Sequence, residues 1–240
     1  MTEFIIVFLV AMLSTLSQSV AGFGFAIIMM SFLTMFLPSD ISSILSLLFG
    51  GIIAAGLFVK YRKHFEFRLA IFPALFSAIG IVIGLFIQTQ TTSTVFLRLF
   101  GGFLILLSLW FLFYANKVKI EANFGTGAVT GLIAGVIGAL FTIAGPPLVL
   151  YFNTVTKKKE TYMAVLQFCF TILSIITILG KVVIGKWPQD ITSYLLPATL
   201  GVIIGLIPGF WVYKKVDDAI LKKIVYVVMI ASGLYYLFTA

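Results

Sequence analysis

The chain has 240 residues, of which 61% are hydrophobic and 10% are charged, whereas about 25% of residues are charged in an ordinary soluble domain. No soluble fold could bury that much apolar surface, so the composition excludes a cytosolic enzyme. The formal net charge of +8 would favour a nucleic-acid partner in a soluble protein, but the continuous apolar runs favour a lipid bilayer. We therefore predict an all-α polytopic membrane protein.

The basic residues fall into four short clusters, which the positive-inside rule assigns to the cytoplasm. Thirteen of the 16 Lys and Arg residues lie in these clusters. The apolar stretches between the clusters are the predicted membrane elements. The clusters occupy residues 60–68, 117–119, 157–159 and 214–223.

The first membrane element, residues 4–37, is too long for a single span. The chain carries no charge for some 35 residues here, about 52 Å of helix at 1.5 Å per residue, against a hydrocarbon core of about 30 Å. Gly22-Phe23-Gly24 interrupts this stretch, and closely spaced glycines favour a break in a helix. We predict a hairpin here, followed by single spans over residues 41–59, 69–87 and 99–115.

The second long element, residues 122–155, repeats this arrangement. Its breaker is Gly145-Pro146-Pro147, because proline interrupts a helix. The element is entered from one predicted cytoplasmic cluster and left at the next, so it must return to the side on which it began, and a hairpin is required. Single spans follow over residues 161–180, 191–213 and 220–239.

The two halves of the chain therefore have the same elements in opposite orientation. We predict one integral membrane domain made of two inverted-topology repeats, residues 1–119 and 120–240, each a broken-helix hairpin plus three transmembrane helices. Both chain termini then face the periplasm. This is the architecture of many secondary transporters.

The first break offers more hydrogen-bond donors to the predicted anion site than the second. The second arm of a broken hairpin starts at the break, which we expect near the membrane midplane, so unpaired N–H groups and the positive end of the helix dipole point into the protein. Such ends can hold an anion without a buried cation. Phe23, Gly24 and Phe25 can donate N–H groups, and Gly22 lets the backbone approach the ligand.

The second break has fewer donors. Gly145 begins the motif, but Pro146 and the proline after it have no N–H, so Leu148 offers the nearest one, helped by the hydroxyl of Thr142. Each break also has a plain alternative reading as a bend, because Gly and Pro are frequent in membrane helices. Two breaks at equivalent positions of opposed repeats favour the site.

Polar side chains within the spans complete the predicted site. Gln18 and Ser19 precede the first break, and Gln167 and Thr171 lie one turn apart on one helix face. Their amides and hydroxyls suit the oxygens of an oxyanion, while hydrogen bonding between helices is the alternative reading. Lys181 stands at a span end, where we expect its side chain to snorkel to the interface.

The sequence offers little for catalysis. No Asp, Glu or His lies within a predicted span, so a reaction on a polar bond would lack both a general base and a metal. We expect no catalytic residues, no metal site and no cofactor. An anion channel with the same lining stays open as an alternative to a carrier.

Three stretches resemble the TauE/SafE family of sulfite and sulfonate exporters. They run from Gln18 to Phe25 (QSVAGFGF), from Gly131 to Gly138 (GLIAGVIG) and from Ala144 to Tyr151 (AGPPLVLY). The similarity covers essentially the whole chain. It implies a multi-pass carrier of the bacterial inner membrane for small sulfur-containing anions, with the substrate held between the two hairpins.

The predicted function is export of sulfite, a sulfonate such as sulfoacetate, or thiosulfate from the cytoplasm. An anion leaving a negative-inside cell gains about 2.3 kcal/mol per charge per 100 mV, so export could run without a coupling ion. An anion channel, or an importer of another small anion, is the alternative. The expected partners are a small anionic substrate and the lipid bilayer, but not nucleic acid, and the sequence is compatible with a homo-oligomer.

Overall fold

The computed structural model describes residues 2–113, 120–212 and 218–239, with the side chains of residues 20–21, 207–212 and 218–225 excepted. Every regular element in these ranges is helical, and seven of the helices are long and apolar enough to cross a membrane. The all-helical, multi-pass prediction is thereby confirmed. The α-helices are α1 (Thr2–Ala21), α2 (Phe25–Leu33), α3 (Ser39–Tyr61), α4 (Phe67–Thr89), α5 (Ser93–Phe113), α6 (Phe124–Phe141), α7 (Gly145–Val155), α8 (Lys159–Val183), α9 (Thr192–Val212) and α10 (Asp218–Thr239).

The order of these helices is the predicted one, a broken hairpin followed by three long helices in each half. The hairpins are α1 with α2 and α6 with α7, and their arms are unequal: 20 and 9 residues in the first, 18 and 11 in the second. The predicted cytoplasmic residues Lys117, Lys119, Lys214 and Lys215 lie outside the described residues.

The chain forms two compact units, each built from both halves of the sequence. Unit 1 comprises Met1–Phe49, Thr91–Asn116 and Trp187–Ala240, and unit 2 comprises Gly50–Gln90 and Lys117–Lys186. Unit 1 thus holds the first hairpin with α5, α9 and α10, while unit 2 holds the second hairpin with α4 and α8. Each hairpin packs against helices of the other half of the chain, and the division into repeats at residue 120 stays a prediction.

Glycines bring α4 and α6 into backbone contact within unit 2. A Cβ on Gly80 would lie 2.3 Å from the carbonyl oxygen of Leu132, and one on Gly84 would lie 2.6 Å from that of Val136. Close contacts between small residues of this kind drive helix association in membranes. Lipid tails are as apolar as the helix surface, so the hydrophobic effect does not hold the helices together there.

Unit 1 contains the same seam between α9 and α1. A Cβ on Gly201 would lie 2.3 Å from the carbonyl oxygen of Phe8, and one on Gly205 would lie 2.6 Å from that of Met12. The glycines of the two seams are 121 positions apart, and the carbonyl residues that they face are 124 positions apart.

The contacts also give the relative directions of the helices inside each unit. Successive contacts advance together along α4 and α6, along α4 and α8, and along α1 and α9, so each of these pairs is parallel. Helices α5 and α10 are antiparallel, because Gly101 lies beside Tyr236 while Ser108 donates a hydrogen bond to the carbonyl of Tyr226.

Candidate functional site

The first hairpin breaks at Gly22, Phe23 and Gly24, as predicted. The amide of Gly22 makes the last helical bond of α1, to the carbonyl oxygen of Gln18 at 2.9 Å, and the chain then turns with φ of 79° at Gly22 and 107° at Gly24. Both angles lie in the left-handed region that glycine alone enters at little cost. The sequence signal for this break was therefore a direct one.

Helix α2 presents an uncapped N-terminus at this break. Its first helical bond runs from the amide of Ile28 to the carbonyl oxygen of Gly24 at 3.0 Å. The N–H groups of Phe25, Ala26 and Ile27 therefore have no acceptor within the helix, and Gly24 supplies no side-chain cap. Three donors and the positive end of the helix dipole share one short turn of backbone.

Space around Gly24 is restricted by Ser17 of the preceding helix. A Cβ on Gly24 would lie 2.5 Å from the hydroxyl oxygen of Ser17, which donates to the carbonyl oxygen of Phe23 at 3.4 Å. Glycine is required here twice over, by its backbone conformation and by this contact.

The predicted polar and aromatic residues around the first break are buried. Gln18 is 4% exposed, and the Ser19 hydroxyl is enclosed without a hydrogen-bond partner among the residues that the structure describes. Phe23 stacks on Phe111 with ring centroids 6.2 Å apart, and the Phe25 side chain is fully buried. The two phenylalanines are therefore occupied by packing, and only their backbone is suited to a polar ligand.

The second hairpin breaks at Thr142, Ile143 and Ala144, and its second arm begins at the predicted Gly145-Pro146-Pro147. Thr142 has a left-handed backbone with φ of 66°, and Gly145-Pro146-Pro147 forms the first turn of α7. Proline fits that turn because its missing N–H would have no helical acceptor there. The proline pair therefore starts a helix instead of interrupting one. The hairpin does fold back, because a Cβ on Gly127, near the start of α6, would lie 3.3 Å from the hydroxyl oxygen of Tyr151 in α7.

Donors are scarce at this second break. Gly145 is the one residue among the first three of α7 that carries an N–H, since two prolines follow it. Leu148 is the fourth residue, the first whose N–H an α-helix can pair with the residue before its start. Gly145 is therefore a further candidate donor, and the role of Leu148 stays a prediction. Thr142 is 6% exposed, so its side chain lies in the interior with the break.

Gln167 and Thr171 lie on α8, the helix that packs beside α7. Leu148 of α7 shares one buried cluster with Leu166 and Cys169, the neighbours of Gln167, and Gln167 itself is fully buried. The Thr171 hydroxyl donates to the carbonyl oxygen of Gln167 at 2.8 Å. That proton therefore serves its own helix, and the role of Thr171 as an anion ligand stays a prediction.

Lys181 does not snorkel, contrary to the prediction. Its side chain is 0% exposed, and its ammonium nitrogen donates to the Gln88 amide oxygen at 3.0 Å. A Cβ on the adjacent Gly180 would lie 2.2 Å from Cδ1 of Leu85, so α8 packs closely against α4 beside Lys181.

Broken hairpins with uncapped short helices, among helices long enough to span a bilayer, define the class of this protein as a polytopic membrane protein with the elements of a secondary transporter. The family model described as "Sulfite exporter TauE/SafE" matches residues 7–236, and the chain belongs to this family. Membership implies a membrane transporter of sulfite-type anions. No curated protein and no solved structure matches the chain.

Proposed function

We propose that this protein is a carrier that exports small sulfur-containing anions, namely sulfite, a sulfonate such as sulfoacetate, or thiosulfate, across the bacterial inner membrane. The observation that carries the proposal is the first break, where three N–H groups at the start of α2 face no side-chain cap. An anion is the natural partner of such a helix end. The enclosed hydroxyl of Ser19, three residues before Gly22, has no partner within the described part of the chain and offers a further donor.

The proposed binding residues divide between the two hairpins. The first contributes backbone at Gly22, Phe23, Gly24 and Phe25 with the side chains of Gln18 and Ser19; the second contributes Thr142, Gly145, Pro146 and Leu148 with Gln167 and Thr171 of α8. Each break belongs to its own compact unit. That both breaks serve one anion is part of the proposal and rests on the predicted opposed topology.

The depth of the site follows from the arm lengths. A first arm of 18–20 residues extends about 27–30 Å, close to the full hydrocarbon thickness, whereas a second arm of 9–11 residues extends about 14–17 Å. A break at the midplane therefore requires the long first arms, α1 and α6, to be strongly tilted. If these arms stand upright, each break lies near the face of the bilayer opposite to the one where its hairpin begins. The short second arm, α2 or α7, then extends from there back to the midplane.

Inverted repeats are supported by the matching glycine seams. Helices α4 and α9 occupy the same position in their halves of the chain. In each of them two glycines contact backbone carbonyl oxygens of the hairpin of the other half, and the distances from an added Cβ to these oxygens are 2.3 and 2.6 Å in both cases. The parallel and antiparallel helix pairs within each unit also have the directions that the predicted topology requires. Two-fold related contacts of this kind are expected when two similar halves pack with opposite orientation.

Flux measurements in proteoliposomes test the proposed function. The purified protein is reconstituted and offered sulfite, thiosulfate, sulfoacetate, taurine and sulfate in turn. We expect saturable uptake of at least one sulfur oxyanion, accelerated by the same anion on the opposite side of the membrane. Unsaturable conductance without this exchange would indicate the alternative, a channel, and the absence of any anion flux would refute the proposal.

Cysteine labelling tests the topology, including the periplasmic termini. In a Cys169→Ala background, we expect single cysteines replacing Lys117 and Lys158 to react with an impermeant reagent from the cytoplasmic side only. A cysteine replacing Thr2 should react from the periplasmic side. Labelling of the first two positions from opposite sides would contradict the hairpin topology and the inverted repeat with it.

A further inference from the structure

Basic residues from two distant parts of the sequence meet at one end of unit 2. The turn Arg62–His64, between α3 and α4, packs against α8. The Thr161 hydroxyl, in the first turn of α8, donates to the Glu66 carboxylate at 3.5 Å across 95 positions of sequence. The basic clusters at residues 60–68 and 157–159 therefore form one surface, here called the basic patch. The predicted topology places it on the cytoplasmic side.

Aromatic packing beneath the basic patch fixes its position. The ring centroid of Phe65, which follows the turn, lies 4.8 Å from that of Phe168 on α8 and 5.3 Å from that of Phe58 on α3. The rings of Phe58 and Phe168 are themselves 5.4 Å apart. These three side chains join the end of α3 and the start of α4 to α8, so the cations of the turn have a defined place relative to the start of α8.

The basic patch carries a high positive charge. Residues 60–68 supply four Lys or Arg side chains and residues 157–159 supply three, against the two carboxylates of Glu66 and Glu160, which leaves a net charge of +5. All of these charged side chains are exposed. The first helical bond of α8 runs from the amide of Tyr162 to a carbonyl oxygen at 3.0 Å, so the positive end of the helix dipole adds to the field here.

Large apolar side chains border the basic patch. Val59, in the last turn of α3, and Phe67, the first residue of α4, are each 57% exposed. Both helices are long and apolar enough to cross a bilayer. A water-soluble anion would gain nothing from this apolar border, whereas a phospholipid carries an anionic headgroup and acyl chains in one molecule. The combination of charge and apolar surface therefore favours a lipid partner.

We propose that the basic patch is a binding site for an anionic phospholipid of the cytoplasmic leaflet, whose phosphate is held by cations of both segments and whose acyl chains lie beside Val59 and Phe67. Clusters of about four to eight basic residues next to a membrane helix are typical of anionic-lipid binding. Phosphate oxygens accept charge-assisted hydrogen bonds from Lys and Arg. The bound lipid links the α3–α4 turn to the start of α8 and thereby stabilises unit 2. This inference does not depend on anion export.

Competition between two phospholipids tests the inference. The purified full chain in a neutral detergent receives equal amounts of phosphatidylglycerol and phosphatidylcholine with the same acyl chains, and native mass spectrometry counts the bound copies of each. We expect a preference for phosphatidylglycerol of at least about tenfold, since each cation near the headgroup contributes about fivefold. Phosphatidylglycerol should also raise the midpoint of thermal unfolding more than phosphatidylcholine does.

One substitution in each segment tests whether both hold the lipid. Lys63→Gln and Lys158→Gln should each lower the preference about fivefold, whereas Lys63→Arg, which keeps the charge, should retain it. Arg98→Gln removes an exposed cation from α5 in unit 1 and is the matched control, with the preference of the wild type. An unchanged preference in Lys63→Gln or in Lys158→Gln would overturn a site shared by the two segments.

Three other results would also overturn the inference. Equal binding of the two lipids by the wild type would do so, and so would an equal loss in Arg98→Gln, because that would indicate general charge attraction. Displacement of phosphatidylglycerol by inorganic phosphate at constant ionic strength would assign the patch to free oxyanions. If a patch variant fails to insert, the wild type at high salt decides, because salt screens exposed charges: a reduced preference supports the inference and an unchanged one overturns it.

Discussion

Replacement of Gly24 by alanine adds a single carbon atom, the Cβ, at the first break. An L-residue in the left-handed region costs roughly 1–2 kcal/mol, and Gly24 has φ of 107°. The new Cβ would also lie 2.5 Å from the Ser17 hydroxyl oxygen, which must rotate away and lose its contact with Phe23. If the backbone relaxes to relieve this strain, the N–H groups of α2 turn away from the anion. A change of 1.4 kcal/mol corresponds to a factor of ten, so we expect kcat/KM to fall about tenfold, and Gly24→Val to abolish transport.

Transport in proteoliposomes is the assay, with thermal stability and insertion measured on the same preparations. Gly102→Ala is the control, because a Cβ at that helical glycine meets nothing within 4 Å and alanine favours a helix. The double variant Ser17→Ala with Gly24→Ala removes the hydroxyl contact but keeps the backbone cost, so it should stay impaired. Normal transport by Gly24→Val, or equal harm from Gly102→Ala, would refute an anion site at this break.

Three further changes test the packing and the polar lining. Gly135→Ala should destabilise the protein by about 1–3 kcal/mol through overpacking, because its Cβ would lie 2.2 Å from the carbonyl oxygen of Ser77. We expect a lower midpoint of thermal unfolding. An unchanged midpoint would mean that α4 and α6 can move apart freely. Tyr236→Phe should cost a similar 1–3 kcal/mol in the same measurement, because its buried hydroxyl donates to a carbonyl oxygen at the end of α2. Gln18→Ala and Gln167→Ala should each raise KM several-fold with little change in kcat, and a change in stability alone would assign these amides to helix packing.

The helix order and the first break could be predicted because each has a local cause. Charged clusters mark where a chain must leave the hydrocarbon, and a charge-free stretch longer than a bilayer must break or fold back. A left-handed turn needs glycine, so the residue type at Gly22 and Gly24 itself indicates the backbone conformation there. Thr142 takes the equivalent conformation with φ of 66° without being the residue type that signals it. The sequence therefore marked the start of α7 at Gly145 but not the left-handed residue three positions before it.

The burial of Lys181 could not be predicted because tertiary contacts decide it. A lysine at the end of a predicted span can reach the interface, and the length of its side chain permits either outcome. The partner that holds it inside, Gln88, is 93 positions away in the sequence. Similarly, the packing of each hairpin on helices of the other half depends on seams such as Gly80 with Leu132, whose partners no local pattern reveals.

The two breaks differ in the number of backbone N–H donors that they offer. Helix α2 begins with three N–H groups that lack helical acceptors, whereas α7 begins with Gly145 and two prolines and offers one. Prolines in a first turn fix φ and stiffen the start of the helix, so α7 has a well-defined end with little capacity to bind. An anion at the start of α2 can therefore accept several backbone hydrogen bonds, whereas one at the start of α7 would rely on a single N–H and the helix dipole. The proposed binding of an anion by backbone groups thus rests chiefly on the first break.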